Sequence, residues 1–377
     1  MMNVRLDLTP RQNVPRWMTV LIPVSTVLLA LLVSSVALIA VGVNPIVAYL
    51  EIFLNPFFEA AHMRRVLNRG APLILAGLAV YIPLRSGLYN IGAEGQLILG
   101  GIVTIWIGVN LPDYLGISTN ALSLVVIMFF VSIVVGAAWI FVPYYLYTEY
   151  EVNEILTTLM LVFTAEQLSN YLTAGPMSTE VGAFPRTDTI QATLPTFPGS
   201  RLNIGIVIAV IMVVATWFLI NKTRLGYEII LSGSNEEVAR QTGISAAKIT
   251  FVVFMLAGAF AGLAGFIDMA GNQQTMTIDW FPEYGWTAIP IALLGRRGAF
   301  QTMLAALLFS VLITGGIVIE ARFGVPSAIA QIIEALVILF LITGEFVRTY
   351  KFDIVIGERS MRGIVYGMAG FGGSGGN

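Results

Sequence analysis

The chain contains ten apolar stretches, separated by polar connections, most of them about as long as a membrane helix. A helix needs about 20 mainly apolar residues to cross a bilayer. Only 11% of the residues are charged, whereas a soluble domain carries about 25%. The sequence therefore predicts an all-α, polytopic membrane helical bundle of about ten transmembrane helices. The predicted spans cover residues 18–42, 68–84, 91–110, 121–146, 154–172, 203–221, 250–270, 286–296, 300–319 and 326–347.

The lysines and arginines predict how these spans are oriented. With the N-terminus in the cytoplasm, 14 of the 20 fall on the cytoplasmic side and 6 on the other. Because cytoplasmic loops are enriched in these residues, we expect both termini to be cytoplasmic. The discordant cluster at 64–69 is interpreted as an amphipathic helix on the outer surface, before the second span. The stretch 286–296 is too short to cross alone and predicts a broken or tilted helix.

The polar connections define the predicted domain organisation. A single transmembrane domain, residues 18–348, lies between a cytoplasmic N-terminal segment, 1–17, and a cytoplasmic tail, 349–377, that is expected to be partly disordered. Residues 173–202 contain four prolines and predict an extracytoplasmic loop. Residues 222–248 predict a cytoplasmic loop.

The most unusual polar stretch lies at residues 85–96, where Asn90, Glu94 and Gln96 sit between two apolar runs. Three glycines in this stretch and a proline just before it disfavour a continuous helix. Broken helices expose backbone groups to substrate in transporters, and a carboxylate within the membrane is by default a functional candidate. The alternative is a tight cytoplasmic turn in which Glu94 pairs with Arg85.

Polar residues also open the fifth predicted span. Asn153, Thr157 and Thr158 stand at its start, within about one helical turn of each other. Their side chains suit contact with a substrate. The alternative is that they cap the helix and bind neighbouring helices.

The segment 234–243 predicts a short helix in the long cytoplasmic loop. Ser234 and Glu237 fit a capping box, because a serine three residues before a glutamate can exchange hydrogen bonds with it. Gly243 suits the end of that helix, and Ser245 suits the cap of the next one. A rigid polar helix between two long spans favours contact with a cytoplasmic partner; the alternative is a plain structured loop.

Other motifs are absent from the sequence. The chain has no cysteine and one histidine, so it offers no disulfide and no cluster of Cys and His metal ligands. Its net charge of −2 gives no basic field for nucleic acid. It contains no nucleotide-binding motif G-x-x-x-x-G-K-[ST] and no nucleophile–base pair. The sequence therefore predicts no enzyme activity and no cofactor bound by this chain.

One segment resembles a signature of bacterial importer permeases. Gly87–Gly101 reads GLYNIGAEGQLILGG, which is similar to the branched-chain amino acid, ribose and nucleoside permease family of ABC importers. Together with the segment at Ala71–Gly77, it resembles the longer of the two permeases in nucleoside importers. Tyr89 departs from the family pattern, in which phenylalanine is common there. Further blocks that match in order are 153–160 (NEILTTLM), 233–243 (GSNEEVARQTG), 256–265 (LAGAFAGLAG), 288–294 (AIPIALL) and 324–341 (GVPSAIAQIIEALVILFL).

The resemblance implies a type II ABC-importer-like machine in the bacterial cytoplasmic membrane. It implies a second permease subunit in a heterodimer, a cytoplasmic ABC ATPase that binds ATP and Mg, and an extracytoplasmic substrate-binding protein or lipoprotein. Substrate, expected to be a nucleoside, would pass by alternating access. The expected pathway residues are Asn90, Glu94, Gln96, Asn153, Thr157 and Thr158. The expected ATPase coupling helix comprises Ser234, Asn235, Glu236, Glu237, Val238, Ala239 and Arg240.

Two alternatives remain open at this point. The same kind of permease could carry simple sugars or branched-chain amino acids. An ion-coupled secondary transporter would need paired carboxylates in the membrane and inverted repeats, and the sequence shows no convincing instance of either. The glycine pattern at 258–265 is interpreted as close helix packing.

Overall fold

The computed structural model describes residues 4–10, 15–115, 121–179 and 185–356. These residues form fourteen α-helices and two strands. The elements are β1 (Val4–Pro10), α1 (Arg16–Ala40), α2 (Pro45–Phe53), α3 (Asn55–Phe58), α4 (Ala60–Arg85), α5 (Ala93–Leu115), α6 (Ala121–Tyr150), α7 (Glu154–Ala174), α8 (Gly205–Lys222), α9 (Arg224–Ser234), α10 (Glu236–Gln241), α11 (Ala246–Asp268), α12 (Tyr284–Leu294), α13 (Ala299–Phe323), α14 (Ser327–Thr349) and β2 (Tyr350–Ile356). A π-helical turn, Met269–Gln273, continues α11.

The structure confirms the helical membrane bundle. Among the described residues, eight helices are long and apolar enough to cross a membrane, and each coincides with a predicted span. The other two predicted spans are helices of a different kind. Helix α7 has 21 residues but is too polar to be counted with the eight. Helix α12 has 11 residues, and its shortness agrees with the prediction of a broken or tilted helix.

Helix α4 occupies the centre of the bundle. In the most apolar 18-residue segment of α4, 83% of the residues are buried. The buried share of the corresponding segment is 72% in both α5 and α11. Helices α8, α11, α12 and α13 all pack against α4. The corresponding share is 22% for α1 and 28% for α6, α8 and α14. These four helices expose large apolar side chains, as expected for helices that face lipid.

Glycines let three of these helices approach to backbone contact. A Cβ atom on Gly262 of α11 would lie 2.2 Å from the carbonyl oxygen of Ser132 on α6. A Cβ atom on Gly265 would lie 2.0 Å from the carbonyl oxygen of Leu97 on α5. Both distances are far below van der Waals contact, so only glycine fits. The prediction of close packing for the 258–265 pattern is confirmed.

Helix α4 also defines the two ends of the bundle. Its last residue, Arg85, donates a hydrogen bond to the carbonyl of Arg296 and lies beside the segment that leads into α10. Near its start, Asn68 bonds to the chain that enters α8. We call the first the α10 end and the second the distal end. At about 1.5 Å per residue, the 17 residues between Asn68 and Arg85 span about 26 Å.

The connection after α7 is folded onto the distal end. Its described part runs antiparallel to the segment after α11: Thr187 donates its amide to the Met276 carbonyl at 2.9 Å, and Leu194 to the Ala270 carbonyl at 2.8 Å. The side chains of Ile190 and Leu194 are buried. The described part of the predicted loop 173–202 is therefore a packed cover over this end of the bundle.

Two local predictions were wrong. Residues 64–69 do not form a separate surface helix, because α4 runs without interruption from Ala60 through this cluster into the core. The 222–248 connection holds two helices, α9 and α10, instead of one. Thr223 alone separates α8 from α9: its hydroxyl donates to the Leu219 carbonyl at 2.6 Å and accepts the Gly226 amide at 3.1 Å, which fixes a sharp corner.

The two terminal segments meet in an antiparallel pair of strands. Strand β1 pairs with β2 so that Asp7 lies opposite Asp353. This small sheet was not predicted, and it places both ends of the described chain on one face of the bundle. The rest of the predicted tail, residues 357–377, lies outside the described residues.

Candidate functional site

The helix break predicted within residues 85–96 is confirmed. Helix α4 ends at Arg85 and α5 begins at Ala93, and we call residues 86–92 the break. Pro83 supplies the carbonyl that accepts the amides of Ser86 and Leu88, so the chain turns tightly out of α4. Gly87 has φ +78°, a left-handed conformation that glycine adopts without strain.

Asn90 and Gln96 hold the break together. Each side-chain amide donates to the other's oxygen, at 3.0 and 2.9 Å, and Asn90 Oδ1 also accepts the Gly92 amide at 3.1 Å. Both residues are buried. Their hydrogen-bonding groups are thus engaged with the protein in this conformation, and a role in lining a pathway remains a prediction for both.

Glu94 is the buried carboxylate at the start of α5, and it caps α12. Its Oε1 accepts the backbone amide of Glu283 at 2.9 Å, and its Oε2 accepts that of Gly285 at 2.5 Å. The first amides of a helix have no partner within the helix, and the helix dipole favours a negative charge there. The alternative pairing with Arg85 is wrong, because that guanidinium reaches the Arg296 carbonyl instead.

The start of α12 fits tightly against Glu94. A Cβ atom on Gly285 would lie 2.2 Å from the Glu94 backbone nitrogen, so glycine is required at this point. Glu283, which precedes the helix, has φ +59°. A non-glycine residue with positive φ is uncommon. The short helix is therefore held at a defined place by a side chain from another part of the sequence.

Of the three pathway candidates at the start of α7, only Thr158 packs against the break. Thr158 is buried, and a Cβ atom on Gly92 would lie 2.9 Å from its Cβ. Asn153 is exposed and caps α7 by accepting the amides of Ile155 and Leu156 at 2.9 and 3.2 Å. Thr157 is half-buried, and its hydroxyl bonds to backbone carbonyls of the same turn. Asn153 therefore acts as the N-terminal cap of α7 in this structure.

Helix α7 also carries polar side chains that the sequence analysis missed. Thr164 and Gln167 are exposed on its outer surface, and Glu166 is half-buried beside them. The same surface exposes Met160 and Phe163. A face toward lipid carries few uncompensated polar groups. The signal was available, because Thr157, Thr164 and Gln167 recur at helical spacing.

Helix α10 forms where the cytoplasmic helix was predicted, but its cap differs from the prediction. Asn235, one residue later than predicted, accepts the Val238 amide at 3.0 Å, whereas the Ser234 hydroxyl donates to the Leu231 carbonyl at the end of α9. The predicted capping box is therefore wrong. Gly243 ends the helix with φ +81°, as predicted, and Ser245 caps α11 by accepting the Lys248 amide at 3.4 Å.

Most side chains of the predicted coupling helix point outward. Glu237 and Arg240 form an exposed ion pair at 2.8 Å. Val238 is exposed and Ala239 is buried. The side chain of Glu236 lies outside the described part of the structure. The outer surface of α10 thus offers an apolar residue flanked by a pair of charges.

A direct backbone contact joins the last turn of α9, just before α10, to the end of α4 and the start of the break. A Cβ atom on Gly233 would lie 2.4 Å from the Arg85 carbonyl oxygen and 2.8 Å from the Ser86 carbonyl carbon. Gly233 is two residues before the cap of α10. Nothing in the local sequence predicted this contact, because it joins residues almost 150 positions apart.

Comparisons with known proteins identify the family. The model of the branched-chain amino acid transport system / permease component family matches residues 62–342. The chain belongs to this permease family. It is 46% identical over 371 residues to the glucose ABC transporter permease protein TsgB13 of Haloferax volcanii, covering 95% of this chain and 96% of that protein. It is 28% identical over 358 residues to the guanosine ABC transporter permease protein NupP of Bacillus subtilis, covering 93% and 99%.

The same two organisms each hold a second similar permease. The putative glucose ABC transporter permease protein TsgC13 of Haloferax volcanii is 26% identical over 68% of this chain and 76% of that protein. The guanosine ABC transporter permease protein NupQ of Bacillus subtilis is 25% identical over 63% and 76%. The relatives thus occur in pairs, and the resemblance stated from the sequence motifs is confirmed.

Proposed function

We propose that this chain is one of two permease subunits of an ATP-driven importer that carries a neutral, hydroxylated solute across the cytoplasmic membrane by alternating access. Membership of the permease family supports the class of transporter. The observation that carries the mechanism is the contact between the α10 segment and the break at Gly233. Gly233 lies in the last turn of α9, just before α10, so this contact connects the surface helices to the break that precedes Glu94.

The exposed face of α7 is the proposed wall of the pathway. Thr157, Thr164 and Gln167 lie on a helix that is too polar to be counted among the apolar spans. A second permease placed against this face would remove its polar groups from lipid and enclose a polar passage between the two chains. The paired relatives support a heterodimer with a second permease of the same family.

A cytoplasmic ABC ATPase is the proposed partner of α10. The chain contains no P-loop motif, so ATP and Mg would be bound by that partner and this chain would bind no cofactor and catalyse no reaction. The exposed Val238 and the pair of Glu237 and Arg240 are suited to a groove with an apolar floor and a polar rim. Both termini would then be cytoplasmic, on the same side as α10, and an extracytoplasmic binding protein would dock at the distal end.

A monosaccharide is the substrate that the relatives favour. The glucose permease of Haloferax volcanii is 46% identical over nearly the whole of both chains, whereas the guanosine permease of Bacillus subtilis is 28% identical. This reverses the order expected from the sequence motifs, which placed nucleosides first and sugars second. A nucleoside is the second candidate, supported by the full-length match to the guanosine permease.

Reconstitution of the complete transporter tests the proposal. Vesicles would contain this chain, the second permease and the ATPase, with the binding protein outside and ATP inside. We expect labelled glucose to accumulate only when both ATP and the binding protein are present. Accumulation of guanosine but not glucose would select the second candidate. Uptake that follows an imposed proton or sodium gradient without ATP would refute the ATP-driven mechanism.

A further inference from the structure

The distal end of the bundle contains a polar cavity that none of the functions above uses. Its volume is about 220 Å³, and it opens between α4, the π-helical turn, α12 and α13. It lies about 26 Å from the α10 end, measured along α4. The polar side chains that line it are Arg65, Asn68, Arg69, Asn272, Gln273 and Thr314.

The floor of this cavity is a buried hydrogen-bonded network. Asn272 donates to Asp268 Oδ1 at 2.9 Å and to the Asn68 carbonyl at 3.2 Å. The hydroxyl of Tyr284, the first residue of α12, also donates to Asp268 Oδ1, at 3.4 Å. Arg69 interacts electrostatically with both Asp268 and Tyr284. Four elements of the fold therefore meet in one polar cluster.

Two groups of this cluster have spare hydrogen-bonding capacity. Thr314 lines the cavity and is 97% buried, yet within the described residues its hydroxyl has no hydrogen-bond partner. Asp268 is fully buried, and its Oδ2 likewise lacks a well-formed hydrogen bond to any described residue. Buried polar groups are paired in the great majority of cases, so the unpaired hydroxyl of Thr314, on the wall of a cavity lined by polar side chains, is available to a partner that enters from outside the chain. The π-helical turn supports this, because such turns are frequent at functional sites.

We propose that this cavity is a binding site for the single ring of a monosaccharide. The inference rests on the proposed function and adds a binding site for the substrate that it favours. The ligand must both donate and accept hydrogen bonds, because the wall offers guanidinium and amide N–H groups beside amide, hydroxyl and carboxylate oxygens. A sugar hydroxyl does both.

Size and charge favour a neutral monosaccharide over the nearest competitors. Sites for drug-sized ligands have volumes of about 300–1,000 Å³, and the 220 Å³ of this cavity lies below that range, which favours a ligand as small as one sugar ring. Arg65 and Arg69 would favour an inorganic anion if they stood alone. Asp268 lies beneath the cavity and interacts with Arg69, which reduces the attraction of that arginine for an anion, and inorganic phosphate is therefore one of the probes in the test.

Binding measured without transport tests the site. The assembled transporter in lipid nanodiscs, without ATP or binding protein, would be titrated with glucose, guanosine and inorganic phosphate, and bound ligand detected by saturation-transfer NMR for the two organic probes and by competition for phosphate. Thr314→Val keeps the side-chain volume and removes the hydroxyl. Thr216→Val is the matched control, since Thr216 is also 98% buried and its hydroxyl has no described partner, but it lines an apolar cavity on α8.

We expect weak, saturable glucose binding, with a Kd that Thr314→Val raises roughly threefold to tenfold and Thr216→Val leaves unchanged. Arg65→Gln, at an exposed position that tolerates change, should weaken binding as well. Glucose binding that is absent, or that neither Thr314→Val nor Arg65→Gln alters, would overturn the assignment. Preferential binding of guanosine or phosphate would overturn it too. In each case ATP-dependent uptake, measured separately, would decide whether the proposed function still stands.

Discussion

Glu94→Gln should release the first turn of α12. The two carboxylate oxygens accept the amides of Glu283 and Gly285. Glutamine keeps one acceptor oxygen, but its other terminal atom is an NH2 group that cannot accept a hydrogen bond. One of the two amide groups therefore loses its partner. An unsatisfied buried group costs about 1–3 kcal/mol, which corresponds to a roughly fivefold to 150-fold change in a local opening equilibrium.

Hydrogen exchange in residues 283–290 is the measurement that isolates this effect. The melting temperature is less informative, because neutralising a buried carboxylate also removes a desolvation cost and shifts the global stability in the opposite direction. We expect exchange in 283–290 to accelerate by the factor above while α4 and α11 stay protected. Glu166→Gln is the matched control, because Glu166 is a half-buried glutamate on α7 that does not cap α12.

Two results would refute the capping argument. Unchanged exchange in residues 283–290 of the Glu94→Gln variant would show that the carboxylate does not hold the helix start. Faster exchange to the same degree in every helix would show that the substitution destabilises the whole fold instead. ATP-dependent uptake should fall in the same variant, because Glu94, two residues after the break, is hydrogen-bonded to the start of α12.

The other predictions concern α10 and α7. Gly233→Ala should lower ATPase activity and uptake together, since the added Cβ would lie 2.4 Å from the Arg85 carbonyl oxygen, immediately before the break; full activity of both would contradict the coupling. Asn235→Ala should cost about 1 kcal/mol of α10 stability and reduce uptake, whereas Ser234→Ala should leave uptake unchanged. A loss of uptake in Ser234→Ala but not in Asn235→Ala would support the predicted capping box instead. Gln167→Leu should reduce uptake severalfold without loss of assembly, and the neighbouring Met160→Leu should not; equal uptake in both would remove α7 from the pathway.

The sequence predicted those features that depend on neighbouring residues. The spans follow from the length of apolar runs, and the break follows from Pro83 and three glycines that disfavour a helix within one short stretch. The end of α10 follows from Gly243, whose left-handed φ is the usual reason for glycine there. Even the error at Ser234 is local, since serine and asparagine are both good caps and only tertiary structure selects between adjacent positions.

The contacts that organise the site depend on residues distant in the sequence. Glu94 and Glu283 are 189 positions apart, so no local rule could show that this carboxylate caps α12. In the same way, no local rule could predict the contact between Gly233 and Arg85. The cluster at 64–69 was misinterpreted for a related reason: its charges suggest a surface helix, and only the folded structure shows that the half-buried Arg69 interacts with the buried Asp268.

These distant contacts form one continuous series from end to end of the bundle. Gly233 touches the break beside α10, the break leads into Glu94, Glu94 holds the start of α12, and Tyr284 at that start bonds to Asp268 at the distal cavity. The contacts at Gly233 and at Glu94 are short and leave little room for sliding, whereas the Tyr284–Asp268 hydrogen bond is longer, at 3.4 Å. Movement at the α10 end must therefore be passed on through α12 or break one of the two tight contacts. Adjacency alone does not prove energetic coupling. Gly233→Ala and Glu94→Gln, however, disturb two different contacts. If the contacts are coupled, both variants should lose uptake although each one changes a different part of the structure.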